Sequence, residues 1–446
     1  MDTGRPQPRG KWPLCNAGRA AAQRSIARSG AACMLGALAE KSITVACLYT
    51  TFPKASEAFL QRDVAALRAR GADLRVYSLW GGGGEFGGLR VQGMPRWWFF
   101  VALLWWIPYE SARRPDMLWE LIVNVIGRRA PSALNFWENM LGAGFTACFV
   151  HRFRRDPPDL VYAAWAGAPA TAGWLMWRLT GIPYAVGAHA YDIYEHGGDW
   201  WLKEKIEMAE FVQTSTEMGR RTLVERGMPE GKLVLIRRGL ETFPPMKPLR
   251  RPRLPLRIVC VARLVAKKGL REQLGIYEAL RAAGIDFEAR LVGRGPMREE
   301  LEEAVQRRGL AGHVRFLGLV PPEEVWDHLC WADVLVHTGV VASSGDRDGL
   351  PNVIPEAMAA GVLVVTSPAA ATTEAVAHEV SGLVAEVDRP EVWVEALRRL
   401  AADDALAERL RGAARAWTED NYDARRNAGR LLECLESAVA RRRAVG

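Results

Sequence analysis

Residues 241–255 read Glu241-Thr-Phe-Pro-Pro-Met-Lys-Pro-Leu-Arg-Arg-Pro-Arg-Leu-Pro255, and the next run is Leu256-Arg-Ile-Val-Cys-Val261. Five prolines among these fifteen residues cannot sit inside a central strand or helix, because proline lacks the N–H and fixes φ. The segment reads as a linker. Beyond it, apolar runs at 257–261, 288–292, 314–317, 334–337 and 363–366 alternate with helix-period segments near 270–283, 297–308, 323–329 and 352–360. Continuous apolar runs of this length suit strands buried on both faces. The same alternation precedes the linker. A strand at 43–49 leads to a helix over about 57–70, capped by Ser56 and stopped by Gly71, and then to a strand at 74–79. Further strands are predicted at 160–162, 184–188, 211–214 and 233–236. Helices are predicted near 170–179 and after a cap near Ser215. Two such series predict an α/β chain of two doubly wound parallel-sheet domains facing a cleft, with ligands at the carboxyl ends of the strands. The expected boundaries are 41–243, a linker at 244–256, 257–415, and a C-terminal helix in 416–446 that packs back toward the first domain.

Composition narrows the function. The chain has 446 residues, 49% hydrophobic and 25% charged, which excludes a disordered protein. Its longest apolar run, Trp97 to Ile107, is eleven residues, too short to span a bilayer. The net charge of +8 suggests nucleic acid until it is located. Six Arg or Lys against Asp2 and Glu40 put half the excess in residues 1–40, and Arg441–Arg443 hold more. Solvated basic ends explain this better than a nucleic-acid surface. Residues 1–40, rich in Ala, Arg and Gly without sustained period, read as a disordered leader. Their apolar patch is too short for an export signal. Seven scattered cysteines without a CxxC pair fit a reducing, cytoplasmic compartment and no zinc site.

Three segments carry candidate chemistry. In Val261-Ala-Arg-Leu-Val-Ala-Lys-Lys-Gly269, Arg263 and Lys268 project from a strand-end loop before a helix. Two cations beside free helical N–H groups can clamp a diphosphate. In Leu291-Val-Gly-Arg-Gly-Pro296, Gly293 and Gly295 permit close backbone approach. Phe316 lies in the next strand-end segment, Val314–Gly318. In Asp346-Arg-Asp-Gly-Leu-Pro-Asn-Val-Ile-Pro-Glu356, Asp348 stands at a helix entrance and Glu356 in its first turns, where carboxylates can accept bonds from sugar hydroxyls. Asp346 and Asp348 also imitate an Asp-x-Asp metal motif, but no further oxygen ligands stand at fixed spacing, so no metal is expected.

In order and spacing these motifs resemble family 4 glycosyltransferases of the GT-B fold. The resemblance spans about 42–430 and is most specific over 257–385, with RL-x3-KG, VG-x-GP, FLG and DGLPN-x2-PEAMA-x-G in sequence. The N-terminal half is similar to the colanic-acid type of exopolysaccharide transferases, through Pro53-Lys-Ala-Ser-Glu-Ala-Phe59, Gly181-Ile-Pro183 and Ala188-His-Ala-Tyr-Asp-Ile193. The resemblance implies a nucleotide-sugar-binding C-terminal domain and an acceptor-side N-terminal domain. Arg263 and Lys268 then hold the donor diphosphate, and Glu356 the nucleotide ribose. Asp348, where the family has glutamate, faces the donor sugar. Gly349, Leu350, Pro351, Asn352, Gly293, Gly295 and Phe316 complete the donor side. His189 lies near the anomeric carbon, and Ser56, Glu57 and Asp192 stand on the acceptor side. The implied reaction is retaining transfer of a hexose from a UDP- or GDP-sugar to a saccharide or lipid-linked acceptor, without a cofactor. Among alternatives, an epimerase of this fold lacks its acid–base pattern here, and a periplasmic sugar-binding protein would need an export signal. A degenerate transferase acting as an assembly partner would require broken phosphate-site residues.

One segment stands apart. Of the 17 tryptophans, 12 lie between residues 80 and 201, most densely in Arg96–Pro108. A helix apolar on every face belongs in a core, whereas tryptophan also favours the membrane–water interface. Both readings, a helix against its own sheet and a peripheral contact with anionic membrane, follow from composition.

Overall fold

The computed structural model describes residues 42–446 apart from 55–56, 82, 95, 116–118, 120–122, 124–128, 252 and 446. The leader expected at 1–40 and the cap expected at Ser56 lie outside the described residues.

The N-terminal lobe is an eight-stranded sheet. Its strands are β1 (Thr44–Tyr49), β2 (Asp73–Ser78), β3 (Gly84–Phe86), β4 (Leu89–Gly93), β5 (Leu160–Ala163), β6 (Tyr184–Gly187), β7 (Val212–Thr214) and β8 (Leu233–Leu235). They run in the order β3-β4-β2-β1-β5-β6-β7-β8. All neighbours are parallel except β3 and β4, which form an antiparallel pair at the edge. The C-terminal lobe has β9 (Leu256–Val261), β10 (Phe287–Val292), β11 (Val314–Gly318), β12 (Val334–His337), β13 (Leu363–Thr366) and β14 (Leu383–Val384). Its order, β11-β10-β9-β12-β13-β14, reverses between β9 and β12, the switch point where doubly wound sheets bind ligands.

Each sheet buries both faces, so the strands are near-continuous apolar runs. Helices α1 (Ala58–Ala69), α2 (Arg96–Arg113), α3 (Ala133–Arg155), α4 (Ala168–Thr180) and α5 (Glu217–Glu225) belong to the first lobe. The cap of α5 is Thr216, whose hydroxyl accepts from the Gly219 N–H, one residue beyond the expected Ser215. The second lobe carries α6 (Leu270–Ala282), α7 (Arg298–Arg307), α8 (Pro322–Trp331), α9 (Val353–Ala360), α10 (Pro390–Ala402) and α11 (Asp404–Asn421). The last helix, α12 (Ala424–Val445), returns to the first lobe. There Leu431, Leu435, Ala438 and Val439 join the core of Val45, Leu60, Val64 and Leu67.

Two crossovers between the lobes lie side by side. Leu240 donates its N–H to Tyr422 O at 2.7 Å and accepts from the Ala424 N–H at 3.0 Å. A Cβ on Gly239 would stand 2.2 Å from Cα of Ala424, so only glycine lets the two chains touch here.

Helix α2 is amphipathic in placement rather than in sequence. Phe99 is buried against α3 while Trp97, Trp98, Phe100, Val101, Leu104, Trp105 and Tyr109 are exposed, Leu104 and Trp105 to 79%. Trp106 packs partly against the core. The expectation of a buried helix thus fails for most of this surface. Helix α3 takes only one narrow stripe of α2, and the exposed side chains described between Trp97 and Tyr109 are all apolar or aromatic.

Candidate active site

The carboxyl ends of β9, β10 and β12 present three loops to the cleft. After β9, residues 266–268 make one 3₁₀ turn, and Gly269 in the left-handed region (φ 60°) starts α6. A Cβ on Gly269 would lie 1.8 Å from Thr338 O, so glycine is what brings the cation loop against the strand end of β12. Gly293 (φ 137°) plays the same part after β10, where a Cβ would meet Ala262 O at 1.9 Å. Gly295 lies similarly close to Leu264 O. The close approach that these two glycines permit is therefore loop against loop. Phe316 packs partly against the core under the guanidinium of Arg298, 5.8 Å away.

Arg263 is exposed at the loop's edge. Lys268 donates to Asp348 Oδ2, and buried Lys267 pairs with Asp346 at 2.9 Å and Asp348 at 3.5 Å. His337, at the end of β12, stands 3.8 Å from the same Asp348 oxygen. Burial alone would raise the Asp348 carboxyl. Lys268, with His337 and Lys267, outweighs it and holds the group well below the usual carboxylate range. Burial, with Lys268 adding, pushes the His337 imidazole down. Asp346 and Asp348 are thus engaged by lysines rather than arranged as an open metal pair. Among the described residues no group of three His, Cys, Asp or Glu side chains could hold a metal ion.

Asp348, Gly349, Leu350 and Pro351 form the loop into α9. Asn352 takes the cap position, and its Oδ1 accepts from the buried Tyr422 hydroxyl. Glu356 sits in the first turn of α9, where the helix dipole favours an anion. Its Oε1 accepts from Arg62 Nη2 of α1 across the cleft at 2.7 Å.

The opposite wall comes from β5 and β6. His189 follows β6, is 3% exposed, and has no hydrogen-bond partner on either ring nitrogen among the described residues. Burial, with Arg238 adding, holds its imidazole well below the usual range. It is therefore neutral at pH 7, able to donate from one nitrogen and accept at the other. The Trp165 ring meets it edge-on at 5.4 Å, and a Cβ on Gly349 would lie 2.9 Å from His189 O. The loop into α9 and the backbone of His189 therefore lie against each other.

Asp192, expected on the acceptor side, is turned inward. It is fully buried, and its oxygens accept from the N–H groups of Ala166 at 3.0 Å, His189 at 3.1 Å and Ala190 at 2.8 Å. Its carboxylate shapes the histidine loop. Glu57 is paired with Lys54 at 2.6 Å at the mouth of α1. A carboxylate that the motifs do not reveal, Glu138 of α3, approaches Gly167 together with Asp199 and the Tyr191 hydroxyl. A Cβ on Gly167 would lie 3.3 to 3.8 Å from all three. Burial and then Asp199 raise Glu138 to about 7.

Arg62, Glu138, His337, Glu374 and Tyr422 are the residues that sequence reasoning missed. Glu374 accepts from the N–H groups of Glu217 and Met218 and from Arg237 at 2.8 Å, joining the lobes. Only His337, polar at the end of the apolar run 334–337, carries a local signal.

Residues 55–239 match the model of the glycosyl transferase 4-like domain, and residues 246–417 match that of glycosyl transferases group 1. The chain is 31% identical over 228 residues to the amylovoran biosynthesis glycosyltransferase of Erwinia amylovora, covering 51% of this chain and 56% of that one. It is 32% identical over 188 residues to a GDP-mannose-dependent phosphatidylinositol monomannoside mannosyltransferase of Mycolicibacterium smegmatis, covering 42% and 49%. The chain spans about half the length of these curated relatives. The solved Anabaena protein HepE, in complex with UDP and glucose, superposes with a TM-score of 0.64 at 17% identity, covering 89% of this chain and all of that one. At that identity the likeness speaks for the fold.

Proposed function

We propose that this chain, which belongs to the family 4 glycosyltransferases of the GT-B fold, transfers a hexose from a nucleotide diphosphate sugar to a saccharide acceptor in exopolysaccharide synthesis. The observation that supports the reading is that Lys268, after β9, meets Asp348, after β12, at the C-terminal sheet's switch point, in the loop whose Gly349 lies against His189. In this reading Arg263 and Lys268 hold the diphosphate and stabilise the charge that grows on it as the C1–O bond breaks. Lys268 is shared between Asp348 and the incoming phosphate. Glu356 receives the ribose hydroxyls. Asp348, one methylene shorter than glutamate, reaches less far toward the sugar and tunes which hexose fits. The acceptor oxygen bonds C1 on the face the diphosphate leaves, and its proton passes to a departing phosphate oxygen. Configuration is thereby retained without a carboxylate nucleophile, and His189 orients the acceptor hydroxyl. Metal is unnecessary here because two cations and the start of α6 supply the positive field. Incubating the purified protein with UDP- and GDP-hexoses, lipid-linked acceptors and EDTA, with products read by mass, tests this. A glycosylated acceptor formed in EDTA is expected; strict metal dependence would overturn the metal-free step.

The acceptor is carried on a lipid, and α2 brings the enzyme to it. The exposed rings of Trp97, Trp98 and Trp105 insert at the headgroup level, and exposed Arg113 and Arg114 meet anionic headgroups. Aromatic insertion with basic attraction gives a reversible, two-signal attachment. Among the described residues no helix is long and apolar enough to cross a membrane.

A further inference from the structure

The ribose carboxylate is not held by its own lobe alone. Glu356 belongs to α9 of the C-terminal lobe, and its side chain meets Arg62 of α1 in the N-terminal lobe, 294 positions away in sequence. Both side chains are largely buried, 24% and 15% exposed. The contact is single-pointed. Nη2 engages Oε1, while Nη1 turns to Gly239 O at 3.3 Å, beside the crossing of the two segments. The neighbouring Asp63 is taken by Arg238, which leaves Arg62 directed at Glu356. A carboxylate offers about four lone-pair sites, so hydroxyls can be received while Arg62 stays in place. From below, the backbone of the same turn is fixed through Asn352, whose O accepts the Glu356 N–H at 3.1 Å and whose side chain accepts from Tyr422.

We infer that Arg62 is a positioning residue for the donor. From the opposite lobe it holds the Glu356 carboxylate in the orientation that receives the ribose, and so ties nucleotide affinity to closure of the cleft. The inference rests on the assignment of Glu356 to the ribose. Binding and lobe contact are then linked, so whatever strengthens one strengthens the other. The lobes do not depend on this contact to stay together. Glu374 clamps α5 and Arg237, and α12 packs into the first core. Removing the guanidinium should therefore leave a folded protein.

The test is calorimetric binding of UDP and GDP, each against its 2′,3′-dideoxy analogue. Wild type is compared with Arg62→Ala, Arg62→Lys, Glu356→Gln and the Arg62→Ala/Glu356→Gln double variant, all checked for folding by circular dichroism. Loss of a charge-assisted contact predicts about tenfold weaker binding of the preferred ribonucleotide by Arg62→Ala. Binding of the dideoxy analogue should stay within about twofold, because it lacks the hydroxyls that the Glu356 carboxylate receives. Lysine should restore part of the loss, and the double variant should bind no more weakly than Glu356→Gln. Equal losses on both nucleotides, additive losses in the double variant, or tighter binding by Arg62→Ala would overturn the inference. If Glu356→Gln itself does not distinguish the ribonucleotide from its dideoxy form, the ribose assignment falls, and this inference with it. A Glu356 effect without an Arg62 effect sinks the inference alone.

Discussion

At the scale of single residues, Glu138 offers a prediction with a definite sign. Its carboxyl is raised from its ordinary value to about 7 by burial and by Asp199. Between the unfolded value near 4.5 and about 7, the native state therefore binds more protons than the unfolded chain. Stability must fall as pH rises through that window. Glu138→Gln removes the penalty, so the variant should be more stable than wild type at pH 8 by about 1–3 kcal/mol and nearly equal at pH 4.5. Thermal melts at the two pH values measure it, and a variant equal to wild type at pH 8 would contradict the burial argument. Glu138 also shows what the sequence hides. Arg263, Lys268 and Glu356 are legible because their neighbours in the chain fix a recognisable strand–loop–helix geometry. Glu138, Arg62 and Glu374 acquire meaning only from partners in distant segments, and nothing beside them in sequence marks them. Asp192 shows the converse: its motif is legible, but not that three backbone N–H groups engage the carboxylate expected on the acceptor side.

At the scale of elements, the parallel strands were readable because burial on both faces demands unbroken apolar runs. The edge pair β3–β4 was not, since its strands are short and flanked by glycines. Helix α2 exposes a limit of periodicity. A run as apolar as Trp97–Ile107 gives little sign of which face meets its neighbour α3, so Leu104 and Trp105 look no different from buried Phe99 until the fold is built. The exposed rings predict a function separable from folding. Replacing Trp97, Trp98 and Trp105 together with Ser should lower binding to vesicles containing anionic lipid by about tenfold, leaving the melting temperature unchanged. Flotation with and without high salt reads the first, and salt should release part of the wild-type protein. A triple variant that melts much earlier would place those rings in the core. One that still binds vesicles fully would move the membrane contact elsewhere.

At the scale of the whole molecule, the two lobes are joined where Leu240 and Tyr422 cross, and the loop into α9 meets the His189 backbone over the resulting cleft. Because a side chain on Gly239 has no space against Ala424, Gly239→Val should destabilise the protein by about 1–3 kcal/mol. It should also impair turnover beyond what stability explains, because the cleft is set by this crossing. Denaturant titration and steady-state kinetics separate the two, and a variant normal in both would deny the crossing its role. The central claim is that the loop after β9 holds the leaving diphosphate, and Lys268→Ala tests it most directly. In single-turnover transfer from the preferred nucleotide sugar, the account predicts a loss of about 10²–10³ in rate, the worth of about 2–4 kcal/mol at a developing charge. A Lys268→Ala rate within about twofold of wild type, about 0.4 kcal/mol, would contradict it.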